Sequence, residues 1–142
     1  MSASATVASP SESLRRRSRE ALSALALQFL LGMAANLIGE PDGGFVAVVD
    51  TIIIILHILI AIGLVVVAVR VLLAARQAGV GQRLALWGLV VISLTFLAGV
   101  ATVVFGSDWA SYLMACGFLV AAALYGGTFI ASYGGSRQRQ AT

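Results

Sequence analysis

With 142 residues, 60% of them hydrophobic and only 11% charged, and a mean hydropathy of +1.00, the chain is far too apolar for a soluble domain, which carries about 25% charged residues. Its net charge of +3 raises nucleic acid as a partner. The basic residues sit in short flanks between apolar stretches, however, a pattern that suits anionic lipid headgroups and excludes the nucleic-acid reading. One compact unit is expected at this length.

The first 19 residues are small and polar, then basic, and read as a disordered cytoplasmic tail. A transmembrane domain is expected over 20–134, with spans at about 21–39, 50–75, 84–106 and 110–133. Each span is long enough to cross a ~30 Å hydrocarbon core as a helix, and a helix satisfies its own backbone groups in lipid. The first span is longer than the ~7–15 residues of a signal-peptide core, so it reads as an uncleaved signal anchor. GEPDGG at 39–44, RQAGVGQR at 76–83 and GSDWAS at 106–111 have the chemistry of turns. Residues 135–142 form a second cytoplasmic tail.

All nine basic residues are arginines, and each falls on one side of this arrangement. Arg15, Arg16, Arg17 and Arg19 precede span one, Arg70, Arg76 and Arg83 flank the second connection, and Arg137 and Arg139 follow span four. By the positive-inside rule both termini are cytoplasmic. Glu40, Asp42, Asp50 and Asp108 lie at the opposite connections. Trp109, Tyr112 and Phe105 fall at the outer boundary, and Trp87 and Tyr133 at the inner one, as interface aromatics. The fold class expected is an all-α membrane protein, an antiparallel bundle of four transmembrane helices in the plasma membrane.

Span two has two faces. Asp50, His57, Ala61, Leu64 and Ala68 share one helical stripe, while Ile52, Ile55, Leu59, Ile62, Val66 and Val69 cover the other side. Small and polar residues inward, branched aliphatics toward lipid, is the pattern of a membrane bundle. In span four, Gly117 with Ala121, Ala122 with Gly126, and Ala123 with Gly127 make small-xxx-small pairs that suit close helix packing or a homodimer. Gln28, Asn36, His57 and Asp50 are the polar residues expected in the membrane interior, with Gln28 and Asn36 in interhelical hydrogen bonds.

His57 is the only histidine. With Asp50 as the outer end of span two, it lies about 10 Å deep. Three readings follow. The first is a neutral imidazole bonded to Asn36, a carbonyl or a hydroxyl. The second is an axial ligand of haem b, with the Met114 thioether or the histidine of a second protomer as its partner. The third is a proton path entering at Asp50. LQFLLG at 27–32, LH at 56–57 and LYGG at 124–127 give the chain a layout that resembles small uncharacterised four-helix bacterial membrane proteins, and one half of the haem A synthase and cytochrome b-type bundles. That resemblance implies haem b as the cofactor to test, although the sequence alone requires none. The four-span layout is also similar to the small multidrug exporters, whose first span carries a membrane-embedded glutamate; here Glu20 sits at the cytoplasmic edge.

CxxC, HExxH, Walker and GxGxxG patterns are absent, which removes structural zinc and phosphate-loop chemistry. Cys116 is the single cysteine, in apolar surroundings that suit a buried, unreactive thiol. No carboxylate pair or activated nucleophile is visible, so an enzyme is not expected. The function expected is a non-catalytic accessory or interaction subunit of a membrane complex, its contacts being the bilayer and a second copy or larger assembly. A haem-b electron carrier is the first alternative and a small transporter the second.

Overall fold

A computed structural model describes residues 9–39, 43–106 and 108–140, the side chains of 108 and 135–140 excepted. Four helices account for nearly all of them: α1 (Pro10–Ile38), α2 (Gly44–Ala78), α3 (Gln82–Phe105) and α4 (Asp108–Gln140). All four are long and apolar enough to cross a membrane. The two outer-connection acids Glu40 and Asp42 lie outside the described residues.

The helices outrun the expected spans. Residues 10–19, expected to be disordered, are helical: Ser9 caps α1 by accepting the Glu12 amide at 3.3 Å, and Pro10 occupies the first turn, where its missing N–H costs nothing. Helix α2 begins at Gly44, so Asp50 lies nearly two turns inside it and does not mark its end. At 35 residues α2 is about 52 Å long, well beyond the ~30 Å that the hydrocarbon requires. Helix α4 likewise runs on through 135–140, where a tail was expected.

The chain reverses tightly between α2 and α3. Gly79 and Gly81 hold φ of 73° and 69°, the left-handed region that only glycine enters without strain. The Gly79 amide donates to the carbonyls of Ala75 and Arg76, closing the last turn of α2. Such short connections make sequential helices antiparallel neighbours. Helix α1 packs on α2, α2 on α3, α3 on α4 and α4 back on α1, with little contact across the diagonals. Touching pairs between α3 and α4 run in opposite directions in register: Leu84 with Gly127, Gly88 with Tyr125, Thr95 with Gly117 and Gly99 with Met114.

Buried positions recur at alternating spacings of three and four: Leu14, Ser18, Ala21, Leu25 and Gln28 on α1, and Phe118, Ala121, Tyr125, Thr128 and Ser132 on α4. That seam averages 3.5 residues and is the signature of a left-handed bundle. Ala21, Ala68, Ala75, Ala85 and Ala121 are buried within it, and small side chains let the backbones approach closely. The aliphatic face expected on α2 is turned outward, with Ile52, Ile55, Leu59, Ile62, Val66 and Val69 all exposed.

This seam does not run the length of the bundle. On α1 the last buried residue is Gln28, on α2 the first is Leu64, and on α3 the last is Thr95. On α4 burial begins at Phe118, apart from Ala110 at the far end. The bundle is therefore closed over the half that carries the arginines and open over the other half.

Candidate functional site

The open half holds a cavity of about 400 Å³. All four helices line it: α1 through Gln28, Gly32 and Asn36, α2 through His57 and Ala61, α3 through Thr95 to Val104, and α4 through Ser111 and Met114. Leu64, Ile92 and Phe118 line it at the level where the closed half begins. The volume lies within the roughly 300–1,000 Å³ of small-molecule sites. No arginine or carboxylate is among the described lining residues.

Gln28 ties α1 to α2. It is 1% exposed, and its Nε2 donates to the carbonyl oxygen of His57 at 2.9 Å. The expected interhelical bond thus exists, but this donor reaches the main chain of His57 and not its ring. This bond also fixes the amide, because a flip would set oxygen against oxygen. The Gln28 Oε1 atom is then a buried acceptor with no donor among the described residues.

The His57 ring rests against Gly32. A Cβ added to that glycine would lie 3.2 Å from Cε1 and 3.7 Å from Nδ1 of the imidazole. Nδ1 is buried there without a hydrogen-bond partner among the described residues. Asn36, expected to pair with His57, is instead exposed at the rim and makes no hydrogen bond to the ring. Asp50, only partly buried, does not line the cavity at all. Of the four polar residues expected inside the membrane, the structure brings Gln28, Asn36 and His57 to one cavity and leaves Asp50 out. Cys116 is half-buried and also off the cavity.

Hydroxyls within the bundle are largely spent on their own helices. Thr95 donates to Val91 at 2.8 Å, Thr102 to Ala98 at 3.0 Å and Thr128 to Leu124 at 2.8 Å, each through its side-chain oxygen. Two further polar atoms, Ser18 Oγ and Tyr125 Oη, are buried without partners among the described residues in the closed half. Sequence reasoning missed Gly32 and Gly99, the two notches that seat His57 and Met114. A Cβ on Gly99 would meet Met114 Sδ at 3.3 Å. Glycines opposite a histidine and a methionine at matching depth were the available signal.

Comparison with protein-family models, with curated proteins and with solved structures found no match to this chain. What the cavity can hold is therefore argued from its residues. His57 and Met114 do line one cavity, as an axial pair must. A metal-bound imidazole regularly donates its other N–H to a carboxylate, carbonyl or water, and the main chain of Gln28 is the described group that meets this ring. The propionates of a haem would find no arginine among the described lining residues. The residues fit haem b in donor type but offer its propionates no cation among the described lining residues.

At the other end of the molecule, Glu20 bonds Arg17 at 2.8 Å and Arg16 at 3.0 Å. The Arg17 hydrogen bond, with help from Arg16, holds its carboxyl below the usual 4.5. Arg15 lies 5.4 Å above the Tyr133 ring, a cation–π contact between α1 and α4.

Proposed function

We propose that this is a non-catalytic protein of the cytoplasmic membrane, with both termini inside, that acts by binding: an accessory component whose working site is the cavity in the outer half of its bundle. The observation that carries this reading is the asymmetry of packing. The arginine-bearing half is sealed by a continuous seam, whereas the opposite half keeps open a cavity of about 400 Å³ with polar groups at its base. Voids in a packed interior forfeit dispersion contacts, and a bundle with no use for the space would close over it. The arginine distribution supports the orientation.

The test is a photoreactive amino acid at cavity-lining Val100 and, as a control, at outward-facing Leu73 of the closed half. In native membranes the cavity position is expected to yield one discrete adduct that the control lacks. Identical lipid adducts at both sites would refute the proposal.

Haem b held by His57 and Met114 is the second reading, favoured by their common cavity. A Soret band lost in His57→Ala would establish it, and a colourless protein from haem-supplemented cells would end it. Conduction has less support: Asp50 stands apart from His57, and Leu64, Ile92 and Phe118 line the cavity where the closed half begins.

A further inference from the structure

The core stripes of α2 and α3 do not stop where the cavity begins; they continue into its wall. On α2 the stripe runs through Ala68, Leu64, Ala61, Ile58 and Ile54, at helical spacings of four and three. Ala68 and Leu64 are 0% and 2% exposed, whereas Ile58 and Ile54, which line the cavity, are 43% and 41% exposed. On α3 the same change separates Ala85 and Ile92, both buried, from the lining residues Val100 and Val103, at 45% and 75%. Stripes that share one core in the closed half therefore part in the open half. The cavity opens sideways between α2 and α3.

Each hairpin stays shut within itself at this level. Gly32 of α1 seats His57 of α2, Gln28 donates to the His57 carbonyl, and Gly99 of α3 seats Met114 of α4. The gap lies between two helical hairpins, and it has the depth of one leaflet. Leu64 is ten residues beyond Ile54, about 15 Å along a helix, which is half of a ~30 Å hydrocarbon core.

That depth decides among occupants. A partner's transmembrane helix must cross both halves of the bilayer, and the buried seam of the closed half bars it from following the gap. A lipid chain belongs to one leaflet and ends near the midplane, where Leu64, Ile92 and Phe118 line the floor. Left empty, the gap forfeits dispersion contacts along both stripes. A hydrocarbon chain restores them without setting a polar group among Ile54, Ile58, Phe96 and Val100.

We infer that the cavity holds the acyl chain of an outer-leaflet phospholipid, entered sideways between α2 and α3. This rests on the proposed orientation and on the cavity being the working site. It makes the discrete adduct expected at Val100 a lipid that Leu73 does not share.

The test counts the lipid and then locates it. Full-length protein purified in dodecyl maltoside is expected to retain one phospholipid per chain by native mass spectrometry. Ala61→Phe, which fills the gap, should retain none. Leu59→Phe, on the outward side of the same helix, should retain one, and both variants are checked for an unchanged helical spectrum. The location needs no variant. Phosphatidylcholine carrying a diazirine midway along one chain is added to the unmodified protein in equimolar amount and irradiated. Ile54 and Ile58 are expected to take about tenfold more label than Ile55 and Leu59, a preference that corresponds to ~1.4 kcal/mol. Those neighbours lie at the same depth and are more exposed, at 51% and 59%, so lipid that merely surrounds the protein would not favour the inner pair.

Equal labelling of the two pairs would overturn the inference. A single non-lipid adduct at Val100 would then leave the cavity as the working site, whereas identical lipid adducts at Val100 and Leu73 would remove that reading as well. Lipid retention that Ala61→Phe does not reduce would place the lipid outside the gap and also overturn the inference.

Discussion

The sharpest test of the packing is Gly88→Ala. Tyr125 is fully buried, and its ring fills the notch that Gly88 leaves on α3. A Cβ at position 88 would lie 2.8 Å from Cζ, 2.9 Å from Cε1 and 3.1 Å from the hydroxyl oxygen. Comfortable carbon–carbon contact is about 3.5–4.0 Å, so the ring or a helix must move by roughly 1 Å. Overpacking of this kind costs about 1–3 kcal/mol. The better helix propensity of alanine returns about 0.5–1 kcal/mol. The net expectation is a loss of about 0–2.5 kcal/mol, measured by denaturing-detergent titration in mixed micelles. In a Tyr125→Leu background the colliding atoms are gone, and Gly88→Ala should become neutral or stabilising. The coupling between the two positions should then be about 1–3 kcal/mol. Equal effects of Gly88→Ala in both backgrounds would refute the notch.

Three further expectations share that assay. Tyr125→Phe removes a buried hydroxyl with no partner among the described residues, so stability should hold or rise by up to about 1 kcal/mol; a clear loss would reveal a partner for the hydroxyl. Gly126→Ala meets nothing within 4 Å and should leave a single chain at least as stable; a loss together with a lower dimer fraction by light scattering would make that face a protomer contact. Glu20→Gln tests the sign of a pH effect. The carboxyl is held below its ordinary 4.5, so its stabilising contribution is present above that value and disappears as the pH falls through the lower folded one. The variant should be less stable by under about 1 kcal/mol at neutral pH, as befits a partly exposed pair, and match the parent in acid; an equal deficit in acid would show that charge is not the cause.

Much of this architecture was legible in the residues, and the failures have physical causes. The outward aliphatic face of α2 could be read because lipid imposes a one-sided rule along a helix. The start of α1 was also written in the chain: Ser9, Pro10 and Glu12 form a serine cap with proline in the first turn and an acid three residues on. The surrounding stretch is small and polar, however, and hydropathy marks lipid and not helix, so the apolar pattern alone starts the helix too late. Asp50 misled for a related reason. A carboxylate reads as the edge of a span, yet a helix can carry it well past its first turn, and Phe45 to Val49 continue the apolar run before it.

His57 shows where such reading stops. Its place on the inward stripe and its depth beside Met114 follow from periodicity. Its partner does not, because Gln28 binds the carbonyl of residue 57, a main-chain group that every residue owns and no side-chain pattern reports. The cavity is harder still, being a failure of four helices to close. Its trace in the sequence is Gly32 and Gly99, small residues that seat His57 and Met114. In a bundle read from hydropathy alone such glycines pass for packing; opposite a solitary histidine and a methionine they line a cavity.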